Sequence, residues 1–277
     1  MTKTFCIFGD ERVFRLKSPE IFSTVLKQAG IKGSYVPFMV EPERIGEAVR
    51  SLNVLNIAGA NVTVPYKEAV IPHLDDLSEG ATIIGSVNTI VRKSGKLKGY
   101  NTNAIGFMDS LEEAGFDVAG KSALVFGTGG AARSVVFILK WLHAGSIIVA
   151  GRNEDKISNV VNRIGGQGKI IESLPDHTVS ANIVVNATSV SDPEEAPELA
   201  ELVNRVELAD CDLIADLNYG MSRNFWQDMA QNRGVRFKDG LSSLANQARR
   251  TFLLWTGTDV GPELFLKALE EAQNASG

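Results

Sequence analysis

The spacing of apolar and polar positions alternates between short apolar runs and stretches of helical period through almost the whole chain. Thr4–Phe8 reads as a strand ending at Gly9. A helix follows, with Ser18 expected as N-cap and Pro19 at the first helical position, running through Phe22, Val25 and Leu26 to Gly30. Ser34–Phe38 is the next strand, and Pro42 with Ile45, Ala48, Val49 and Leu52 marks the next helix. Ile57–Val64 reads as a strand into Pro65, with a short helix after it through Ala69 and Leu74. Asn88–Val91 and Leu97–Tyr100 pair as a hairpin around Lys93–Lys96. Ala104–Ala114 is a linking helix stopped by Gly115. Beyond it come strand 122–126, helix 131–143, strand Ile147–Ala150, helix Glu154–Arg163 and strand Lys169–Ile171. Strands at Ile183–Asn186 and Leu213–Ala215, a helix near Asn224–Asn232 and a strand at Val235–Phe237 follow, and the chain closes on helices Ser243–Trp255 and Pro262–Ala275. Such alternation predicts a two-domain α/β fold: an N-terminal α/β domain with a mixed sheet, then a parallel-sheet, Rossmann-type domain. The expected boundaries are 1–103 for the first domain and 104–242 for the second, with helices over 243–277 packing back on the first.

One stretch narrows the second domain's role. In Lys121–Arg133, KSALVFGTGGAAR, an apolar strand stops at a glycine turn and a helix begins. Gly127 permits the tight turn, Gly129 lets backbone approach a pyrophosphate, and Ala132 lets helix pack on strand. The helix N-terminus offers N–H groups and a positive dipole end to phosphates. A GxGxxA pattern alone is weak, but the strand and helix around it meet the context that a dinucleotide site requires. An NAD-selective site places a carboxylate at the end of the second strand; here Gly151 is followed by Arg152 and Asn153. A guanidinium there suits a 2′-phosphate, and Lys156 stands one turn on. The expected cofactor is NADP.

Composition excludes more than it adds. The chain has 277 residues, 44% hydrophobic and 22% charged, as in ordinary globular proteins, with disorder expected only over Asn274–Gly277. A net charge of −5 with no concentrated basic patch argues against a nucleic-acid or membrane-surface partner. No apolar run approaches the ~20 residues of a membrane span, and Met1–Lys3 leads into a strand without a signal-peptide pattern. The two cysteines, Cys6 and Cys211, read as buried reduced thiols of a cytoplasmic protein. With His73, His143 and His177 they make no metal-ligand spacing, so no metal is expected.

The first half gathers polar residues at strand ends: Asn61–Lys67 (NVTVPYK), Asn88-Thr89 and Gly99–Asn103 (GYNTN). In a chain that also binds a dinucleotide, they imply hydride transfer to or from a carbonyl or polyhydroxylated compound. A proton must then move on and off the oxygen. Lys67 is the local acid/base candidate, since desolvation can bring an amine's pKa towards neutrality.

Together these stretches resemble the shikimate dehydrogenases. The likeness runs through the Ser18-Pro19 turn, NVTVPYK, SVNTIV, GYNTNAIGF, GTGGAAR, Asn186–Ser189 (NATS), Asp216–Tyr219 (DLNY), and Gln247-Ala248 followed by Phe252 and Trp255. The resemblance implies an enzyme of aromatic amino acid biosynthesis, on the chorismate pathway, reducing 3-dehydroshikimate to shikimate with NADPH; a monomer or homodimer acting on a small molecule is expected. By that likeness Ser18 would bond the substrate carboxylate, and Thr63, Asn88 and Gln247 would hold its hydroxyl and carboxylate groups. Tyr219 would line the same pocket, and Lys67 would be the acid/base. Gly127, Gly129, Gly130, Ala131, Arg152, Asn153, Lys156, Asn186 and Thr188 would serve the cofactor. Two departures bear on chemistry. The family's GYNTD ends here in Asn103, which keeps the hydrogen-bonding shape but removes the charge paired with the lysine. Where the family has a serine two residues before Ser18, this chain has Leu16, losing one hydroxyl bond to the carboxylate, worth about 1.5–3 kcal/mol; Arg12 or Arg15 are the nearby cations. The alternatives implied are a weakened NADP- or metabolite-binding homologue, and an enzyme for a relative such as quinate.

Overall fold

The computed structural model describes residues 2–274 and divides into two compact units. One runs to Gly106 and resumes at Ala245; the other is Phe107–Leu244. The disordered tail expected over Asn274–Gly277, like the last residue of the closing helix, falls outside the described residues from 275 on.

The first unit opens with β1 (Lys3–Gly9), its last five residues buried, and a 3₁₀ turn over Glu11–Arg15 started by the Asp10 side chain. Then come α1 (Ser18–Gln28), β2 (Gly33–Met39), α2 (Ile45–Val54) and the wholly buried β3 (Gly59–Val62). β4 (Asp76–Leu77), α3 (Glu79–Ile84), β5 (Thr89–Lys93) and β6 (Lys96–Tyr100) follow, and α4 (Thr102–Glu113) carries the chain across into the second unit at Phe107. The sheet order is β2-β1-β3-β5-β6-β4. β1 is parallel to β2 and β3, whereas β5 runs antiparallel to β3 and β6, so the sheet is mixed as expected. One face buries Phe8, Val49, Leu52, Val62, Val87 and Ile90 in a common core.

The second unit comprises β7 (Ser122–Phe126), α5 (Gly130–Trp141), β8 (Ser146–Gly151), α6 (Glu154–Ile164), β9 (Gln167–Ile170), β10 (Val179–Ser180) and β11 (Ile183–Asn186). It continues through α7 (Pro197–Arg205), β12 (Leu208–Ala209), β13 (Leu213–Asp216), α8 (Phe225–Arg233) and β14 (Arg236–Lys238) into α9 (Leu241–Thr256). Its main sheet, β14-β13-β11-β7-β8-β9, is parallel throughout. The strand order reverses between β11 and β7, the switch point at which doubly wound sheets collect ligands at the carboxyl ends of their strands. α9 and α10 (Pro262–Asn274) return the chain to the first unit. There Trp255 stacks on Phe5 at 4.8 Å, and its indole N–H donates to the Ile90 carbonyl at 3.0 Å.

Several local expectations change. Lys17 already has helical dihedrals and is the N-cap, so Ser18 is the first residue of α1 and caps nothing; the helix stops at Gln28, short of Gly30. The strand expected over Ile57–Val64 is confined to Gly59–Val62, where β1 and β5 supply partners. Residues 65–70 form turns and only Ile71–His73 is 3₁₀ helix, because Pro65 and Pro72 lack the N–H a longer helix needs. α3 and α7 are present although the apolar spacing marked neither.

Candidate functional site

In the first unit, the ends of β3, β5 and β6 bring several of the expected residues together. Thr63 follows β3; its N–H bonds the Phe8 carbonyl at 2.9 Å, and a Cβ on neighbouring Gly9 would meet the Thr63 methyl at 2.7 Å. Asn88 precedes β5, accepting the Val62 N–H at 2.9 Å on its backbone carbonyl. The Lys67 carbonyl accepts the Val87 N–H at 2.7 Å, which ties the lysine's turn to the same strand end. Asn103 lies in the first turn of α4 and accepts a hydrogen bond from Asn88 Nδ2 at 2.8 Å. The other Nδ2 hydrogen of Asn88 goes to Thr102 Oγ1 at 3.0 Å, while its Oδ1 accepts the Thr102 N–H at 2.8 Å. Thr251 of α9 completes this network, 3.0 Å from both Thr89 and Thr102 hydroxyls. Gln247, four residues before Thr251, is on the same helix face.

This cluster is divided into satisfied and unspent groups. Asn61, Asn88, Thr89, Thr102 and Thr251 are buried and bonded to one another. By contrast, the side chains of Ser18, Thr63, Lys67 and Gln247, all partly buried, make no hydrogen bond or ion pair with any described residue. Buried polar groups ordinarily find partners, so unspent ones are ready for a ligand. Loss of water around the Lys67 amine lowers its pKa, and among the described residues no carboxylate is paired with it to oppose that. Of the two arginines near Leu16, Arg12 is engaged by Asp10 at 2.6 Å, whereas Arg15 is exposed and unpaired among the described residues. Ser18, at the start of α1, is not bonded to the cluster.

In the second unit, the fit of the glycine turn to a pyrophosphate can be tested directly. Gly127 has φ +117°, and a Cβ there would stand 2.9 Å from the Ala187 carbonyl, so no other residue suits this turn. At Gly129, the N-cap of α5, a Cβ would point into open space, and no side chain caps the helix. The first N–H groups of a helix lack internal partners, so Gly129, Gly130 and Ala131 present an anion cradle. Buried Ala132 packs behind it. Arg152 and Lys156, beyond β8, are exposed and unpaired among the described residues, so neither is neutralised by Glu154 or Asp155. Asn153 caps α6, its side chain accepting the Lys156 N–H at 2.9 Å. These residues suit a 2′-phosphorylated dinucleotide.

The loops after β11 and β13 hold Thr188 and Tyr219. Asn186 is fully buried; its Oδ1 accepts from the Thr188 hydroxyl at 2.7 Å, and its Nδ2 donates to Asp216 at 2.8 Å. Tyr219 is partly buried, which raises the pKa of its phenol. Asp216, Ser191, Asn218 and Asn224, which bond one another here, had no role in the sequence reading. Only Asp216 and Asn218 carried a signal, as part of the DLNY stretch.

Two family descriptions cover most of the chain: "Shikimate dehydrogenase substrate binding domain" matches residues 10–90 and "Shikimate / quinate 5-dehydrogenase" matches residues 110–237. A relative from Caldanaerobacter subterraneus subsp. tengcongensis, named shikimate dehydrogenase (NADP(+)), is 38% identical over 92% of this chain and 92% of its own. The chain belongs to the shikimate dehydrogenase family. Among solved structures, the Thermus thermophilus shikimate 5-dehydrogenase in complex with NADP(H) and shikimate superposes with a TM-score of 0.85, at 30% identity over 98% of this chain and 99% of that one. The ligand-free 5-ketofructose reductase of Gluconobacter sp. strain CHM43 matches with a TM-score of 0.83 at 24% identity, over 98% of this chain and 99% of that one, a likeness of fold alone.

Proposed function

We propose that this chain is an NADP-dependent oxidoreductase that interconverts 3-dehydroshikimate and shikimate. The observation that carries the reading is the set of unspent polar groups, Thr63, Lys67 and Gln247, beside the satisfied Asn88–Asn103–Thr251 network in a chain of this family. The unit built on the mixed sheet binds the substrate, and the parallel-sheet unit binds the cofactor.

Thr63 and Gln247 have donors available for substrate hydroxyl and carboxylate groups, and Ser18 for the carboxylate. Asn88, with both amide hydrogens already given, serves by fixing Asn103. Lys67 exchanges the proton of the reacting oxygen: as a neutral amine it accepts the hydroxyl proton during oxidation, and as ammonium it returns one during reduction. Gly127, Gly129, Gly130 and Ala131 receive the pyrophosphate, and Arg152 and Lys156 the 2′-phosphate, with Asn153 holding the start of α6. Asn186, being buried, acts by holding Thr188. The bound nicotinamide supplies or accepts the hydride.

Two free cysteines suit a reducing cytoplasm, and no described helix is long and apolar enough to cross a membrane. A monomer or homodimer working there on small molecules is the accompanying proposal. The test is a panel of initial rates, followed by reduced-nicotinamide absorbance, with shikimate or quinate and NADP or NAD. Shikimate with NADP is expected to be the fastest pair, and Arg152→Ala to narrow the NADP preference. No turnover with any pair at high enzyme concentration contradicts the proposal. Faster turnover of quinate would reassign the substrate.

A further inference from the structure

At the carboxyl ends of β11 and β13, Asp216 is only 1% exposed and pairs with no cation among the described residues. A carboxylate removed from water is costly unless hydrogen bonds replace its hydration. Here they do. Oδ1 accepts from Asn186 Nδ2 at 2.8 Å, the Asn218 N–H at 3.0 Å and Asn218 Nδ2 at 3.2 Å. Oδ2 accepts from Ser191 Oγ at 2.5 Å and Asn224 Nδ2 at 2.7 Å. These donors come from separate segments: the end of β11, the loop after it, the residue before Tyr219, and the N-cap of α8.

The same donors grip Thr188 from two sides. Asn186 Oδ1 accepts its N–H at 3.0 Å, and Asn218 Nδ2 donates to its carbonyl at 3.1 Å. Asn218 also donates to Ser191 Oγ at 2.9 Å. Thr188 and Tyr219 thus stand on loops that share one anchor. In a doubly wound sheet the glycine turn and the strand beside it hold the adenosine half of a dinucleotide, leaving the nicotinamide half to the strands across the switch point, here β11 and β13.

We propose that Asp216 is a positioning residue for the nicotinamide half of the cofactor, acting through Asn186 and Asn218 on Thr188 and Tyr219. The inference rests on the reading that this unit binds NADP. It predicts an effect confined to one half of the cofactor, which general damage to the fold would not produce.

In Asp216→Asn, one of the two acceptor oxygens becomes an NH₂ group that faces existing donors, so the anchor cannot be rebuilt. The test is calorimetric titration of wild type, Asp216→Asn and Ser191→Ala with NADP and with adenosine 2′,5′-bisphosphate, which lacks the nicotinamide half. Asp216→Asn is expected to weaken NADP binding at least about tenfold, the factor corresponding to one lost hydrogen bond to a charged group. The bisphosphate affinity should stay at its wild-type value. Ser191→Ala, which removes a single donor, is expected to show the same pattern to a smaller degree, and it decides the question if Asp216→Asn does not fold. Equal losses for NADP and the bisphosphate, or no loss for either, would overturn the proposal. Wild-type protein that binds neither nucleotide would instead refute the NADP reading itself.

Discussion

Lys67 and Asn103 show how far single residues could be read from the chain. The NVTVPYK stretch marked Lys67 as an acid/base candidate, and the structure leaves its amine partly buried, unpaired and with a lowered pKa. Apolar spacing says nothing about where Asn103 spends its hydrogen bonds. Its oxygen is taken by Asn88, which is held by Thr102 and, through Thr89, by Thr251 from far along the chain. Such a network is invisible in sequence because its members come together only when α9 returns. Asp216 escaped notice similarly: one acid among many, until four other side chains close on it. A consequence follows for pH. Oxidation needs Lys67 neutral, so its rate rises as pH climbs through the lysine's pKa, which burial holds below the ordinary value of about 10.4. Asn103→Asp keeps an acceptor for Asn88 and adds a negative charge that favours the ammonium form. The alkaline-rising limb of the pH–rate profile should therefore move to higher pH, and the maximal rate should rise roughly a hundredfold, the lower end of what a positioned acid–base partner contributes. An unmoved limb with an unchanged rate would show that Asn103 does not act on Lys67.

Elements with strong periodicity or clear punctuation were legible: β1, the β5–β6 hairpin and the β7–α5 glycine turn all lie close to where the pattern put them. The failures have physical causes. α3 is only six residues, held by the Ser78 cap at one end and by Gly85 in the left-handed region at the other. α7 follows an acidic, proline-bearing stretch that reads as loop, and it is kept by burying Ala200 and Val203 in the second unit's core. Some element interfaces depend on a glycine that no local pattern singles out. A Cβ at Gly59 in β3 would collide with the indole of Trp255, which also packs on Phe5 and Phe22. Gly59→Ala should lower unfolding stability by about 1–3 kcal/mol, as overpacked cores do, which chemical denaturation would register as a lower midpoint. An unchanged midpoint would mean that α9 is not seated against β3 as described.

At the scale of the molecule, the chain builds most of one unit, leaves it within α4 to build a second, and returns through α9 and α10 to finish the first. The alternation of strands and helices foretold two α/β sheets, but a chain that builds one mixed sheet and one parallel sheet has a fold that the 5-ketofructose reductase shares. The account of function therefore rests on residues: the glycine turn with Arg152 in one unit, and Lys67 with its unspent neighbours in the other. Its central claim is that Lys67 moves the proton while this chain oxidises shikimate with NADP. Steady-state rates of NADP reduction by shikimate, measured for wild type and Lys67→Ala with NADP affinity determined in parallel, test it most directly. The expected result is a kcat lower by about 10²–10⁴ in the variant, with NADP affinity unchanged; a variant that turns over shikimate as fast as wild type would contradict the account.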